Sequence, residues 1–172
     1  KDNNLLNPNP GIVNLDRNPD AKEEERFKAF KTMGRREESA IYAMASPDGI
    51  NWHQMREEPI LTGRPFDTKN LFFWDEWTGQ YRGYTRGVAN NDPDVDPATV
   101  KSQVGHEFIG GVRWIRWTTS PDFETWSPLE DIDAGDTPYE HLYTNECWPY
   151  ERAPGTYLMF PSRLVAHRIP DP

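Results

Sequence analysis

Two short stretches hold most of the residues in this chain that could do chemistry. "FDTKN" brings Asp67 and Asn70 together, and "EHLYTNECW" gathers Glu140, His141, Tyr143, Asn145, Glu146 and Trp148. Two carboxyl groups, one protonated and one ionised, are what the cleavage of a glycosidic bond needs, about 5 Å apart for retention and about 6.5–9.5 Å for inversion. Glu146 is the candidate acid, because Cys147 and Trp148 beside it would surround its carboxyl with apolar groups that favour the protonated form. Asp67 is the candidate partner, orienting a substrate or tuning the acid. Asn70, Glu140, His141 and Asn145 are candidate polar contacts. Tyr143 and Trp148, with Trp74 and Trp77, offer flat faces on which a sugar ring stacks. Arg86 and Arg163, with Arg82 and Arg152, are candidates to clamp a carboxylate bidentately. A plainer reading stays open for each: a solvated Glu146, an Asp67 that caps a turn with Thr68, aromatics as packing, arginines in surface ion pairs.

Composition narrows the field. The chain has 172 residues, 13% aromatic with seven Trp, enough for one domain with a core. A net charge of -9, with no Lys/Arg run, argues against nucleic acid and anionic lipid as partners. No apolar run approaches the length of a membrane-spanning helix. The opening "KDNNLLNPNPG" has no initiator Met and no signal-peptide core, so the chain reads as starting within a longer protein. A single Cys147 excludes an internal disulfide, and His53, His106, His141 and His167 lack metal-ligand spacing. Asp92, Asp94 and Asp96 alternate as calcium ligands do, but Pro97 and Gln103 stand where an EF-hand needs Gly and Glu. No metal or cofactor is expected.

The elements that would position these residues come from a repeat. "SPDGINW" at residues 46–52 returns as "SPDFETW" at residues 120–126. Each follows a strand-like run, "SAIYAMA" and "RWIRWTT". Pro presets φ, the Asp side chain accepts from nearby backbone N–H groups, and the Trp opens the returning strand and packs over the turn. These six residues, Ser46, Asp48, Trp52, Ser120, Asp122 and Trp126, read as fold residues. A second unit follows each hairpin: Asn70 and Asn145 are 75 apart, and Tyr81 and Tyr157 are 76 apart, as are Tyr84 and Phe160. "RFKAFKTM" precedes the first hairpin as "QYRGYTRG" precedes the second, so residues 88–108 read as a surface insertion in the second copy. The stretch "DAKEEERFKAFKTM" also fits an amphipathic helix capped by Asp20, but a turn at 20–25 followed by a strand suits the repeat better.

Four antiparallel strands, repeated, make a β-propeller blade: an inner strand near Asn70, a second near Tyr84, a third near Trp117 and an outer one near Trp126. A Greek-key sandwich is the competing all-β architecture. A period near 75 leaves two to three blades in residues 1–172, whereas closure takes at least about four. The chain therefore reads as a partial propeller domain whose remaining blades lie outside it.

"FDTKNLFFWDEWTGQYRGYTR" and "HLYTNECWPYERAPGTYLMFPSR" resemble the blade unit of the five-bladed propeller superfamily of glycoside hydrolases, which includes families 32, 43, 68 and 130. In that unit a polar or acidic residue precedes an inner strand, a turn follows, and a Tyr-rich strand returns. "NEC" at residues 145–147 resembles the Glu-Cys motif of family 32, whose Glu is the general acid, which implies that role for Glu146. The chain departs from family 32 in lacking its Asn-Asp-Pro and Arg-Asp-Pro motifs; where the second would fall it reads "FDTKN". "SPDGINW" also resembles the sialidase Asp-box, one residue shorter. The resemblance implies a glycoside hydrolase acting on carbohydrate with a carboxylate pair. The alternatives are a non-catalytic propeller that binds glycan or protein, and a sialidase-like enzyme.

Overall fold

Each Ser-Pro-Asp turn is built by two side-chain oxygens. Ser46 Oγ accepts the backbone N–H groups of Asp48 (3.3 Å) and Gly49 (2.9 Å) and donates to Asp48 Oδ1 (3.0 Å). Asp48 Oδ1 accepts the N–H groups of Ile50 (2.8 Å) and Asn51 (2.7 Å), and the Trp52 indole N–H closes on the Gly49 carbonyl at 2.9 Å. The second copy repeats this set with Ser120, Asp122, Phe123, Glu124, Thr125 and Trp126. The Asn51 backbone N–H, first among several donors, holds the Asp48 carboxyl well below its usual range. At Asp122 burial pushes upward, but the N–H groups of Thr125 and Glu124 together outweigh it. Both turns need a left-handed fourth residue, Gly49 at φ 75° and Phe123 at φ 69°. Glycine adopts this freely; Phe123 takes it because its ring is fully buried against Phe30, Phe72, Tyr81 and Trp126.

The computed structural model describes residues 9–34, 38–62, 66–67, 69–89, 112–137 and 141–164. Among these the chain is all-β. β1 (Ile12–Leu15), β2 (Phe27–Met33), β3 (Ala40–Ser46) and β4 (His53–Gln54) form one antiparallel meander. β5 (Leu71–Asp75), β6 (Gln80–Ala89), β7 (Val112–Ser120) and β8 (Glu130–Asp131) form a second in the same order. Phe27 lies opposite Ser46 as Tyr81 lies opposite Ser120, and Leu15 opposite Phe27 as Trp74 opposite Tyr81. The stretch before the first hairpin is one turn of 3-10 helix (Glu23–Glu25) and then strand β2, not an amphipathic helix.

Three boundaries differ from expectation. Val88 and Ala89 extend β6, paired with Arg113 and Val112, rather than opening the insertion expected at 88–108. The rest of that stretch, with Asp92, Asp94 and Asp96, lies outside the described residues. The fourth strand of the second meander begins at Glu130, not near Trp126: Ser127 N–H still bonds the Thr119 carbonyl (2.9 Å), Pro128 has no N–H to give, and pairing resumes at Glu130 opposite Trp117. The third unit is reduced to two nested ladders, β9 (His141–Leu142) with β12 (Arg163–Leu164) and β10 (Trp148–Pro149) with β11 (Tyr157–Leu158). The long aromatic strand expected through Phe160 does not form. Phe160 is 70% exposed, Pro161 cannot donate to a ladder, and Glu146 enters β10 from φ 45°. The described residues close neither a barrel nor a propeller.

The meanders pack face to face through Phe30, Ile41, Leu61, Phe66, Phe72 and Phe123. Gly83 makes room there: a Cβ would stand 3.0 Å from both Thr118 Cγ2 and Trp126 Cζ3. A second core of Phe73, Tyr84, Ile115, Leu142 and Cys147 joins the second meander to the third unit.

At the foot of both interfaces sits the same polar clasp. Asp16, just after β1, accepts from Lys28 Nζ of its own sheet (3.1 Å) and from the Tyr81 hydroxyl of the next (2.7 Å). Asp75, at the end of β5, accepts from Arg82 Nε of its own sheet (2.8 Å) and from the Tyr157 hydroxyl of the third unit (2.5 Å). Each cation also lies over the donating ring, Lys28 at 6.0 Å and Arg82 at 4.6 Å from the centroid. Burial and then the bond to Asp75 push the Tyr157 phenol up to about 12. Burial alone would raise Asp75, but Thr78, Tyr157 and Arg82 together hold it below its usual range.

The Lys28 and Asp16 side chains are 2% and 1% exposed. Lys28→Ala strands a buried carboxylate and is expected to cost about 3–5 kcal/mol in urea unfolding. Arg17→Ala breaks a pair with Glu151 that is open to water on both sides, and is expected to cost less than about 1 kcal/mol. Gly49→Ala meets no atom closer than 3.8 Å, so its cost is the left-handed backbone alone, about 1–2 kcal/mol. Phe123→Ala, at the matching position, loses a core ring instead and is expected to cost about 3–5 kcal/mol. Equal losses at the two positions would contradict this division.

Candidate functional site

β6 and β7 bring two arginines to one face. Val88 pairs with Arg113, so Arg86, two residues earlier on β6, is the diagonal neighbour of Arg113. Both guanidiniums approach the Tyr143 ring, with centroid distances of 5.7 Å for Arg86 and 5.6 Å for Arg113. Arg86, its side chain 4% exposed, also pairs with Asp67, whose carboxylate is 61% exposed at the rim. Behind them the Arg113 backbone N–H donates to His141 Nδ1 (3.0 Å). Burial, then the charges of Arg113 and Arg86, pushes the His141 imidazole below its ordinary value. Nδ1 is thus an acceptor, and Nε2 carries the ring proton.

The start of the third unit is tied to the same mouth through residue 69. Asn145 is buried, its amide N–H₂ donating to the Lys69 carbonyl (3.0 Å) and the Tyr84 carbonyl (3.4 Å), while its Oδ1 accepts from the Cys147 N–H (3.3 Å). Lys69 Nζ in turn meets Glu146 Oε1 at 2.5 Å. The two carboxylates therefore sit in one loop cluster: Asp67 lies two residues from Lys69, and Lys69 holds Glu146. Asn70 is buried as well, donating to the Phe66 carbonyl (2.9 Å) and Thr32 Oγ1 (3.2 Å).

A different surface lies at the other end of β5. Leu15, Trp74, Trp77, Trp148, Tyr150 and Tyr157 line a groove of about 490 Å³ between β1, β5 and β10.

The structure thus brings Asp67, Arg86, His141 and Tyr143 together around Arg113, sets Glu146 near them through Lys69, and separates the rest. Trp148 packs on Phe73 (5.5 Å between centroids) in the opposite groove, and Arg163 is exposed on β12 opposite Leu142. Glu140 lies outside the described residues. Asn70 and Asn145 stitch loops together instead of lining an open surface. The apolar surroundings expected for the Glu146 carboxyl are replaced by an ion pair: the side chain is 39% exposed and faces Lys69. The arginines that converge are Arg86 and Arg113, since Arg82 is committed to the Asp75 clasp and Arg152 is exposed. Arg113 and Lys69 were not expected from the sequence. Only the β6–β7 register shows that Arg113 faces Arg86.

Among the described residues no group of three or more His, Cys, Asp and Glu is placed to hold a metal ion, and no helix is long and apolar enough to cross a membrane. Comparisons with protein-family models, with curated proteins and with solved structures find no match to this chain.

The His141 environment has a consequence for pH. Its folded pKa lies below the ordinary 6.5, so below pH 6.5 the unfolded chain takes up a proton that the folded chain resists. The stability associated with neutral His141 is complete above 6.5 and falls as pH drops through that value. His141→Asn should flatten this dependence between pH 8 and 5, and the imidazole should titrate by NMR with a midpoint below 6.5. A midpoint at or above 6.5 would contradict the placement.

Proposed function

We propose that this chain is part of a carbohydrate-active hydrolase of the β-propeller type, and that its sugar site is the mouth holding Asp67 and Glu146. The single observation that carries the reading is the pairing of two carboxylates in one loop cluster at the starts of neighbouring inner strands, each kept in place by its own cation, Arg86 and Lys69. Two four-stranded meanders with matching registers and matching clasps support reading them as successive blades. In this proposal Glu146 protonates the glycosidic oxygen as the bond to the anomeric carbon breaks. Asp67 stabilises the positive charge that develops on that carbon. Water then supplies the hydroxyl, and its proton returns to a carboxylate. Lys69 must yield Glu146 to the incoming sugar.

A second reading, a glycan-binding protein without catalysis, draws on the same ion pairs, because a carboxylate matched with an ammonium group must first gain a proton to act as an acid.

Hydrolysis of a panel of aryl glycosides separates the two. The hydrolase reading expects turnover of at least one glycoside, with Glu146→Gln and Asp67→Asn each lowering kcat by about 10²-fold or more. Turnover that neither substitution lowers would reject this carboxylate pair. A panel on which nothing turns over, while a glycoside still binds, would leave the binding protein.

A further inference from the structure

The Arg86–Arg113 pair is out of balance with its surroundings. The chain as a whole carries a net charge of -9, yet here two guanidiniums meet one carboxylate, Asp67, among the described residues. Arg86 is more than nine-tenths buried, and the Nε atoms of both arginines are buried with no hydrogen-bond partner among the described residues. Like charges held over one ring repel each other, and buried donors left unpaired cost free energy. Such an arrangement is suited to an anion that completes it.

We propose that Arg86 and Arg113 bind the carboxylate of an acidic sugar, so that the substrate class of this mouth is uronic-acid glycosides. This rests on the carbohydrate reading above and names its substrate. The single charge of a carboxylate matches the excess of one positive charge that Arg86, Arg113 and Asp67 leave among the described residues, whereas a phosphate monoester would overshoot it. The carboxylate is planar, as each guanidinium fork is, and two parallel N–H donors meet its two oxygens. Tyr143, exposed to solvent, lies against both guanidiniums and covers part of the pair. Burial, then the charge of Arg86, pushes the Arg113 guanidinium down from its ordinary value, and Asp67 only partly offsets this. Arg113 remains protonated at neutral pH. Arg86 is engaged by Asp67, so Arg113 is the more available fork.

Titration calorimetry on the chain at low salt tests this with three probes: methyl β-glucuronide, methyl β-glucoside and methyl glucoside 6-sulfate. The expected result is that the glucuronide binds at least about tenfold more tightly than the glucoside, the worth of one charge-assisted hydrogen bond. Arg113→Met should abolish that preference and Arg113→Lys should keep part of it, with thermal unfolding checking that both variants fold. Arg17→Met, on a distant exposed pair, should leave it unchanged. Equal affinity for glucuronide and glucoside overturns the proposal, as does a preference that survives Arg113→Met. Tighter binding of the sulfate ester also overturns it, in favour of a sulfated sugar. Because binding is read without turnover, the two readings fail separately. An Arg113-dependent preference without hydrolysis rejects only catalysis, and hydrolysis without a preference rejects only the uronate.

Discussion

A carboxylate that leaves water must be met by a cation and by hydrogen-bond donors, or it does not stay buried. Asp16 and Asp75 solve this in the same way: the cation comes from the adjoining strand of their own sheet and the phenol from the next unit along. The desolvation cost of each acid, several kcal/mol, is offset only when both partners arrive. The neighbouring unit is therefore held to the length of a hydrogen bond, where apolar packing alone would tolerate sliding. Strand alternation makes the arrangement continuous. Tyr81 and Arg82 are consecutive, so Tyr81 reaches back to Asp16 while Arg82 reaches forward to Asp75.

From that fixed edge the rest of the structure follows. The clasps lie at the ends of β1 and β5, while Asp67 and Lys69 precede β5 and Glu146 precedes β10. The apolar cores between units then fill around aromatic rings whose spacing the clasps have fixed. Two departures from regular structure lie in this region. Glu146 holds a left-handed φ of 45° that a glycine would take at less cost, and two arginines crowd one tyrosine ring.

Local chemistry was legible in the sequence and distant pairing was not. The Ser-Pro-Asp turns can be read in full, because every donor and acceptor lies within seven residues. Strand β2 was recognised against a competing helical pattern, because the same aromatic strand precedes the second turn. The clasp was hidden by unequal spacing. Asp16 and Asp75 are 59 residues apart, Lys28 and Arg82 54, and Ser46 and Ser120 74, so no single period aligns them. Arg113 was hidden for a similar reason: a long stretch separates it from Arg86, and only strand register shows that they share a face. The Tyr and Phe spacing of the third unit suggests longer, more regular strands than form, because Pro149, Pro154 and Pro161 interrupt the ladders.

Two surfaces are candidates for the proposed sugar, the charged cluster around Arg86 and Arg113 and the aromatic groove at the other end of β5. Amide and side-chain chemical shifts followed during titration with methyl β-glucuronide choose between them directly. The account predicts that the perturbations centre on Arg86, Arg113, His141, Tyr143 and Glu146 and leave Trp77, Trp148 and Tyr150 in place. Shifts confined to those three groove residues would contradict it and move the sugar site to the groove.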